Sequence, residues 1–331
     1  MDFGITFKGD ISAQRTVALC QQAEAAGFRH AWFFDSHVLW RECYVTMAMC
    51  MEHTERMIFG PLVTNPGVRE WSVAASLYAT LLHQSEGRFE LGLGRGDSSR
   101  RVLGKKPNTL ARMVDFTQTV KSLVRGDPAG YDDTQTQLPW PEGYDLPIWV
   151  AAYGPKALQT AGEIGDGLVI QLGEPLLVKW FSEQALRAGQ QAGRDMSQFG
   201  IMAAAPVWVG EMEKAREQTR WFPAMVGNHV ADIVQKYGSA SAEVPQSLTD
   251  YIEGRRGYDY AEHADKDAEH LDFITDDITD SFSLLGDVDA QIAKLQQLKD
   301  VGVTQFNIYL MCGEEERMVD AYGSHIIPHF T

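Results

Sequence analysis

Short β-branched or aromatic runs alternate with longer helical patterns along almost the whole chain, and no other feature limits the fold as strongly. The strand runs are residues 3–7, 30–35, 57–64, 89–93, 147–152, 167–172, 199–209 and 305–310. Between them, apolar spacing predicts helices at residues 13–26, 44–51, 73–82, 110–124, 157–164, 178–192, 214–237 and 288–301, with 315–326 closing the chain. Each crossover must return the chain to the same edge, so the strands pair in parallel. Eight repeats favour an α/β fold of the closed (β/α)8 TIM-barrel type over an open doubly wound sheet. The open sheet also wants a G-x-G-x-x-G after the first strand, and none is present.

Two stretches break the repeat. Residues 126–146 are irregular, rich in Asp and Pro, and carry Trp140 and Tyr144. Residues 239–285 are long and acid-rich, with Tyr251, Tyr258, Tyr260, Phe273 and Phe282 among the carboxylates. Loops of such length in a compact domain are lids or solvated excursions, and this many aromatics predict a partly helical insertion over the barrel mouth. The chain therefore reads as one barrel domain, residues 1–331, with an insertion at about 239–285.

Composition narrows the function classes. A formal charge of −16 works against nucleic acid, whose phosphates need a basic face. The four cysteines show no C-x-x-C or framework spacing, and Met1 and Asp2 lead straight into a strand, so a reduced, cytoplasmic protein is expected. No apolar run approaches the length of a membrane span. A metal-dependent hydrolase would want converging His and carboxylate ligands, but there is no H-x-H or H-E-x-x-H, and Pro328 interrupts His325 and His329.

Polar and small residues gather where strands end, the place where α/β barrels bind ligands. Gly94-Arg95-Gly96 turns the fourth strand into a loop that delivers Asp97, and two residues without Cβ atoms would let a flat ligand approach the backbone. Asp35-Ser36-His37, with Trp40 close behind, follows the second strand. Its histidine can exchange protons near neutral pH with Asp35 orienting it, or the stretch is simply a helix N-cap. The third strand leads into Leu62-Val63-Thr64-Asn65, either part of a site or a Pro-Gly turn. After the fifth strand, Ala152-Tyr153-Gly154-Pro155 suits a helix start whose free N–H groups would hold a phosphate, with Lys156 adding charge. Trp32, Phe33 and Phe34 read as core.

G-P-L-V-T-N-P (60–66), A-x-x-x-A-T-L (75–81), S-E-G-R-F-E-L-G-L-G-R-G-D (85–97), A-A-Y-G-P-K (151–156), A-G-x-x-G-D-G (161–167) and G-V-T-Q-F-N (302–307) resemble the luciferase-like flavin superfamily. Within it the chain is most similar to the branch that uses the deazaflavin coenzyme F420, which includes methylenetetrahydromethanopterin reductase. The resemblance implies a (β/α)8 barrel with an insertion, a homodimer, and F420 or FMN across the C-terminal mouth. It implies His37 beside the reactive ring carbon, Asp97 facing a small-molecule substrate, and Trp40 near the family's active-site tryptophan. It also implies a cis peptide at Leu62–Val63, and a phosphate turn at Tyr153 and Gly154. Hydride transfer follows as the expected chemistry. The alternatives are an FMN-dependent monooxygenase supplied by a partner flavin reductase, and a non-catalytic flavin-binding protein.

Overall fold

The computed structural model describes residues 1–131, 133–227 and 274–330. Its strands are β1 (Asp2–Phe7), β2 (His30–Phe33), β3 (Ile58–Pro61), β4 (Leu91–Leu93), β5 (Ala129–Tyr131), β6 (Thr134–Thr136), β7 (Ile148–Ala151), β8 (Gly167–Ile170), β9 (Gly200–Val209), β10 (Leu284–Gly286) and β11 (Gln305–Tyr309). The order β3-β2-β1-β11-β9-β8-β7-β4 is parallel throughout. Parallel bridges from Phe59 to Phe89 and from Thr64 to Leu93 then join β3 to β4, so eight strands close into the expected barrel. β10 adds to the far end of β9, pairing with Val207, Trp208 and Val209.

Helices stand where the apolar spacing places them, among them Ala13–Ala25, Cys43–Glu52, Trp71–Gln84, Leu110–Arg125, Pro155–Ile164 and Pro175–Gln191. Polar side chains start many of them. Ser12 accepts from the Arg15 amide, Thr109 from the Arg112 amide and Asp287 from the Ala290 amide, each satisfying a donor the helix cannot. Gly126 ends Leu110–Arg125 at φ +80°, which a side chain would resist.

The helix expected over 214–237 opens with Met212–Thr219 and resumes over 221–227; its remainder lies outside the described residues, as do insertion residues 239–273 with Tyr251, Tyr258, Tyr260 and Phe273. Phe282, placed by sequence among the insertion's aromatics, is fully buried at the end of the helix Asp276–Phe282. The stretch 126–146 is not irregular throughout: β5 and β6 form an antiparallel hairpin, and Tyr131 stacks on Trp71 with ring centroids 5.4 Å apart. Strands of three residues are too short to show a period.

Residues alternate between the helix layer and the barrel interior. Contacts between strands that are not neighbours run through the interior, and there Trp32 of β2 meets Trp149 of β7 edge to face at 6.4 Å. Glycines make the room. A Cβ at Gly60 would lie 2.6 Å from the Trp32 ring, and one at Gly167 or Gly200 would lie 2.3 Å from the Trp149 ring.

Toward the strands' N-terminal ends the interior is polar. Trp149 Nε1 donates to Glu90 at 2.7 Å, and His30 Nε2 lies 3.9 Å from the same carboxylate oxygen. Gln305 donates to Asn307 at 3.2 Å, while His30 Nδ1, Asn307 Nδ2, Gln305 Oε1 and Trp32 Nε1 are buried without a partner among the described residues. Burial pushes the Glu90 carboxyl up to about 6, against the pull of the Trp149 hydrogen bond. Burial, aided by Arg29, pulls His30 down to about 3, so its ring is neutral.

Candidate functional site at the barrel mouth

At the strands' C-terminal ends the loops after β2, β3 and β4 are tied to one another. Asp35 is buried and accepts from Thr64 Oγ1 at 2.6 Å and from Arg69 Nη1 at 2.5 Å and Nη2 at 3.2 Å. It is committed to Arg69 and does not orient His37, as the sequence suggested. Arg69 also donates from Nη2 to both Glu42 oxygens at 2.9 Å, and its guanidinium lies 4.5 Å from the centre of the Tyr44 ring. Burial opposes the Arg69 charge, but Tyr44, Asp35 and Glu42 outweigh it and hold its pKa above the ordinary value.

The helix-cap alternative for this stretch also fails. The Ser36 carbonyl accepts from the Leu39 and Trp40 amides at 2.9 and 3.0 Å, closing a turn after which no helix begins before Cys43. The Ser36 hydroxyl reaches across to the Ser98 hydroxyl, 2.8 Å away. This contact joins the loop after β2 to the loop after β4. His37 follows Ser36 and is exposed; Asp97 precedes Ser98, is partly exposed, and pairs with Arg101. Asp97 opens the short helix Ser98–Arg101, which the sequence did not reveal.

The Leu62–Val63 peptide is cis. Thr64 and Asn65 follow it, both buried, with their side chains turned to the protein. Thr64 donates to Asp35, while Asn65 Oδ1 accepts from the Gly67 amide at 3.0 Å and Asn108 Nδ2 at 2.9 Å, and Asn65 Nδ2 donates to Ser99 at 2.9 Å. The glycines just after β4 serve these neighbours: a Cβ at Gly94 would lie 2.6 Å from Val63 Cγ2, and one at Gly96, where φ is +79°, 2.5 Å from Asn65 Cγ. Their missing side chains make room for Val63 and Asn65, a closer reason for glycine than the approach of a ligand.

After β7, Ala152 is buried and Tyr153 half-buried. The Tyr153 hydroxyl accepts from the Gln171 amide at 3.0 Å and donates to Gln171 Oε1 at 3.3 Å; Gln171 Nε2 in turn donates to the Tyr309 hydroxyl at 2.7 Å. Burial pushes both phenols up. Trp221 stacks on Tyr309 at 6.4 Å, Phe34 meets it edge-on at 5.6 Å, and Trp40 lies 5.4 Å from Phe34. Gln171 and Tyr309 stand at strand ends, a position that could have drawn attention to them; nothing in the sequence pointed to Arg69. Trp32, Phe33 and Phe34 are buried, as expected of core residues. Gly154 starts the helix Pro155–Ile164 with no side-chain cap, which leaves first-turn N–H groups and the positive dipole end open to an anion. Among the described residues no cluster of His, Cys, Asp and Glu could hold a metal ion, and no helix is long and apolar enough to cross a membrane.

A closed parallel barrel that brings an imidazole, a carboxylate, an uncapped helix start and a phenol–amide chain to one end defines a barrel enzyme acting at its C-terminal mouth. The chain belongs to the luciferase-like monooxygenase family, whose family model matches residues 1–305. It is thereby an oxidoreductase of the luciferase-like class, as the sequence motifs implied. Among its relatives, 5,10-methylenetetrahydromethanopterin reductase of Archaeoglobus fulgidus is 28% identical, with 99% of each chain covered. The Methanopyrus kandleri enzyme of that name is 25% identical over 100% of this chain and 99% of its own. The structure of the coenzyme F420-dependent tetrahydromethanopterin reductase from Methanopyrus kandleri superposes with a TM-score of 0.81 at 22% identity, covering 100% of this chain and 99% of that one. An FMN-bound diketocamphane monooxygenase component from Pseudomonas putida follows at TM-score 0.68 and 15% identity, covering 99% and 98%.

Proposed function

We propose that this chain moves a hydride between coenzyme F420 and a small organic substrate bound over the barrel mouth. The Ser36–Ser98 contact carries the reading, because it ties together the two loops that bear His37 and Asp97. The near full-length likeness to methylenetetrahydromethanopterin reductases favours F420 over FMN, since the FMN-bound neighbour superposes less closely.

The residues present suit such a coenzyme. The Leu62–Val63 peptide offers backbone to a planar ring, with Gly94 and Gly96 making room for Val63 and Asn65 beside it and Asp35, Thr64 and Asn65 fixing the loops behind. Ala152, Tyr153, Gly154 and Pro155 would hold a phosphate at the uncapped helix start. When bound, the coenzyme supplies or accepts the hydride itself. His37 and Asp97 hold or move the proton on the substrate's adjacent oxygen or nitrogen, assistance typically worth about 10²- to 10⁴-fold. Trp40 and Phe34 wall the site against water. In this reading the enzyme is a cytoplasmic homodimer and needs no flavin reductase.

Mass spectrometry of coenzyme extracted from the purified protein, followed by anaerobic titration, tests the reading. Tight F420 binding and oxygen-independent reduction or oxidation of a substrate are expected. Oxygen consumption with reduced FMN and no turnover with F420 would assign the chain to the monooxygenases instead.

A further inference from the structure

We propose that Arg69 is a positioning residue of the mouth: its guanidinium holds the Asp35 carboxylate inward, so that Ser36 and His37 face the loop after β4. For its kinetic consequences the proposal rests on the oxidoreductase reading; its structural consequences do not.

Asp35 and His37 are two residues apart, and a carboxylate that close would reach the imidazole if it turned outward. It does not turn. The Asp35 side chain is 1% exposed, and three donors converge on it: the Thr64 hydroxyl and two Arg69 nitrogens. Without Arg69 a buried carboxylate would keep a single hydroxyl donor, a state a protein escapes by protonation or by rotating the group toward water. His37, two residues on, is exposed to water.

One guanidinium ties three elements. It sits in the loop after β3, grips Asp35 in the loop after β2, and donates to Glu42, whose Oε1 also accepts from the Tyr44 amide at the start of Cys43–Glu52. Its planar fork serves both carboxylates at once; a lysine nitrogen on a flexible stem serves them poorly. With Asp35 pinned, the next hydroxyl, Ser36, meets Ser98, and the spacing of His37 from Asp97 is fixed by that contact. The loops after β2, β3 and β4 carry Asp35, Arg41, Glu42, Arg69, Glu70, Arg95, Asp97, Arg100, Arg101, Lys105 and Lys106; Arg69 pairs with Asp35 and Glu42, whereas Asp97 pairs with Arg101.

The test uses full-length Arg69→Ala, Arg69→Lys and Asp35→Asn/Arg69→Ala, read first without coenzyme by the ¹⁵N NMR signals of the His37 ring. Arg69→Ala should shift those signals; added guanidinium should return them, and methylammonium should not. The Asp35→Asn/Arg69→Ala protein, which lacks the stray carboxylate, should show a smaller shift than Arg69→Ala. His37 signals unchanged in folded Arg69→Ala would overturn the proposal; should that variant not fold, unchanged signals in Arg69→Lys would do so. With coenzyme, kcat should fall roughly 10- to 100-fold with coenzyme KM within about threefold; equal losses in every parameter that guanidinium does not rescue would mark a merely structural arginine. If the wild type transfers no hydride with F420, the functional reading fails, and the His37 signals still decide the role of Arg69.

Discussion

At the N-terminal end of the barrel His30 is buried and Glu90 half-buried, the carboxyl held up to about 6 and the imidazole down to about 3. At the C-terminal end Asp35 and Glu42 share Arg69, and Asp97 pairs with Arg101. A group removed from water can give up its charge or find a partner for it. His30 takes the first course and the mouth the second; Glu90, with the Trp149 indole as its donor, holds its proton only below about pH 6. The inner end sets its polar groups around two indoles, while the mouth keeps its charges by pairing them.

That division can be broken by experiment. The largest effect is expected at the mouth: Asp97→Asn should lower turnover by about 10²- to 10⁴-fold while leaving coenzyme affinity and the urea midpoint nearly unchanged. Unchanged turnover would remove Asp97 from the chemistry. Trp149→Ala should do the reverse, lowering unfolding free energy by about 3 to 5 kcal/mol in urea titrations, because Gly167 and Gly200 leave nothing to fill the space.

The pH dependence of stability sharpens the contrast. Glu90 is an acid whose folded value lies above the usual 4.5, so the fold binds its proton more tightly than the unfolded chain does. Its stabilising contribution is lost as pH rises from 4.5 to about 6 and is fully lost above that. His30 has the opposite sign: its folded value of about 3 lies below 6.5, so stability is lost as pH falls from 6.5 toward 3. Between about 4.5 and 6 the two slopes oppose each other, and the wild type should stay nearly level. Glu90→Gln should be more stable than wild type by about 2 kcal/mol at pH 7, with the gap closing by pH 4.5. A constant gap in urea titrations across that range would clear Glu90 of the effect. Least, Thr109→Ala should cost about 1 kcal/mol through the lost cap of Leu110–Arg125, measured by thermal melts, with the mouth's chemistry unaltered.

The eight barrel strands were legible because their runs are apolar, β-branched and punctuated by helical spacing, which are local properties. The cis peptide came from the likeness of residues 60–66 to a known motif, as no local rule forecasts one. What escaped was set by distance along the chain. Ser36 and Ser98 meet across 62 residues, and the grip of Arg69 on Asp35 spans 34. No periodicity carries such pairings. The assignment of Asp35 to His37 failed for the same reason: sequence neighbours compete with partners that only folding brings near.

β10 carries a last consequence. It binds the end of β9, and around it Arg216 and Arg220 ion-pair with Asp280 and Asp276, so the chain is moored on both sides of residues 228–273. Two moorings on one strand end hold the chain to the frame from both directions, so the barrel's last turn around β9 is tethered independently of what the intervening sequence encodes.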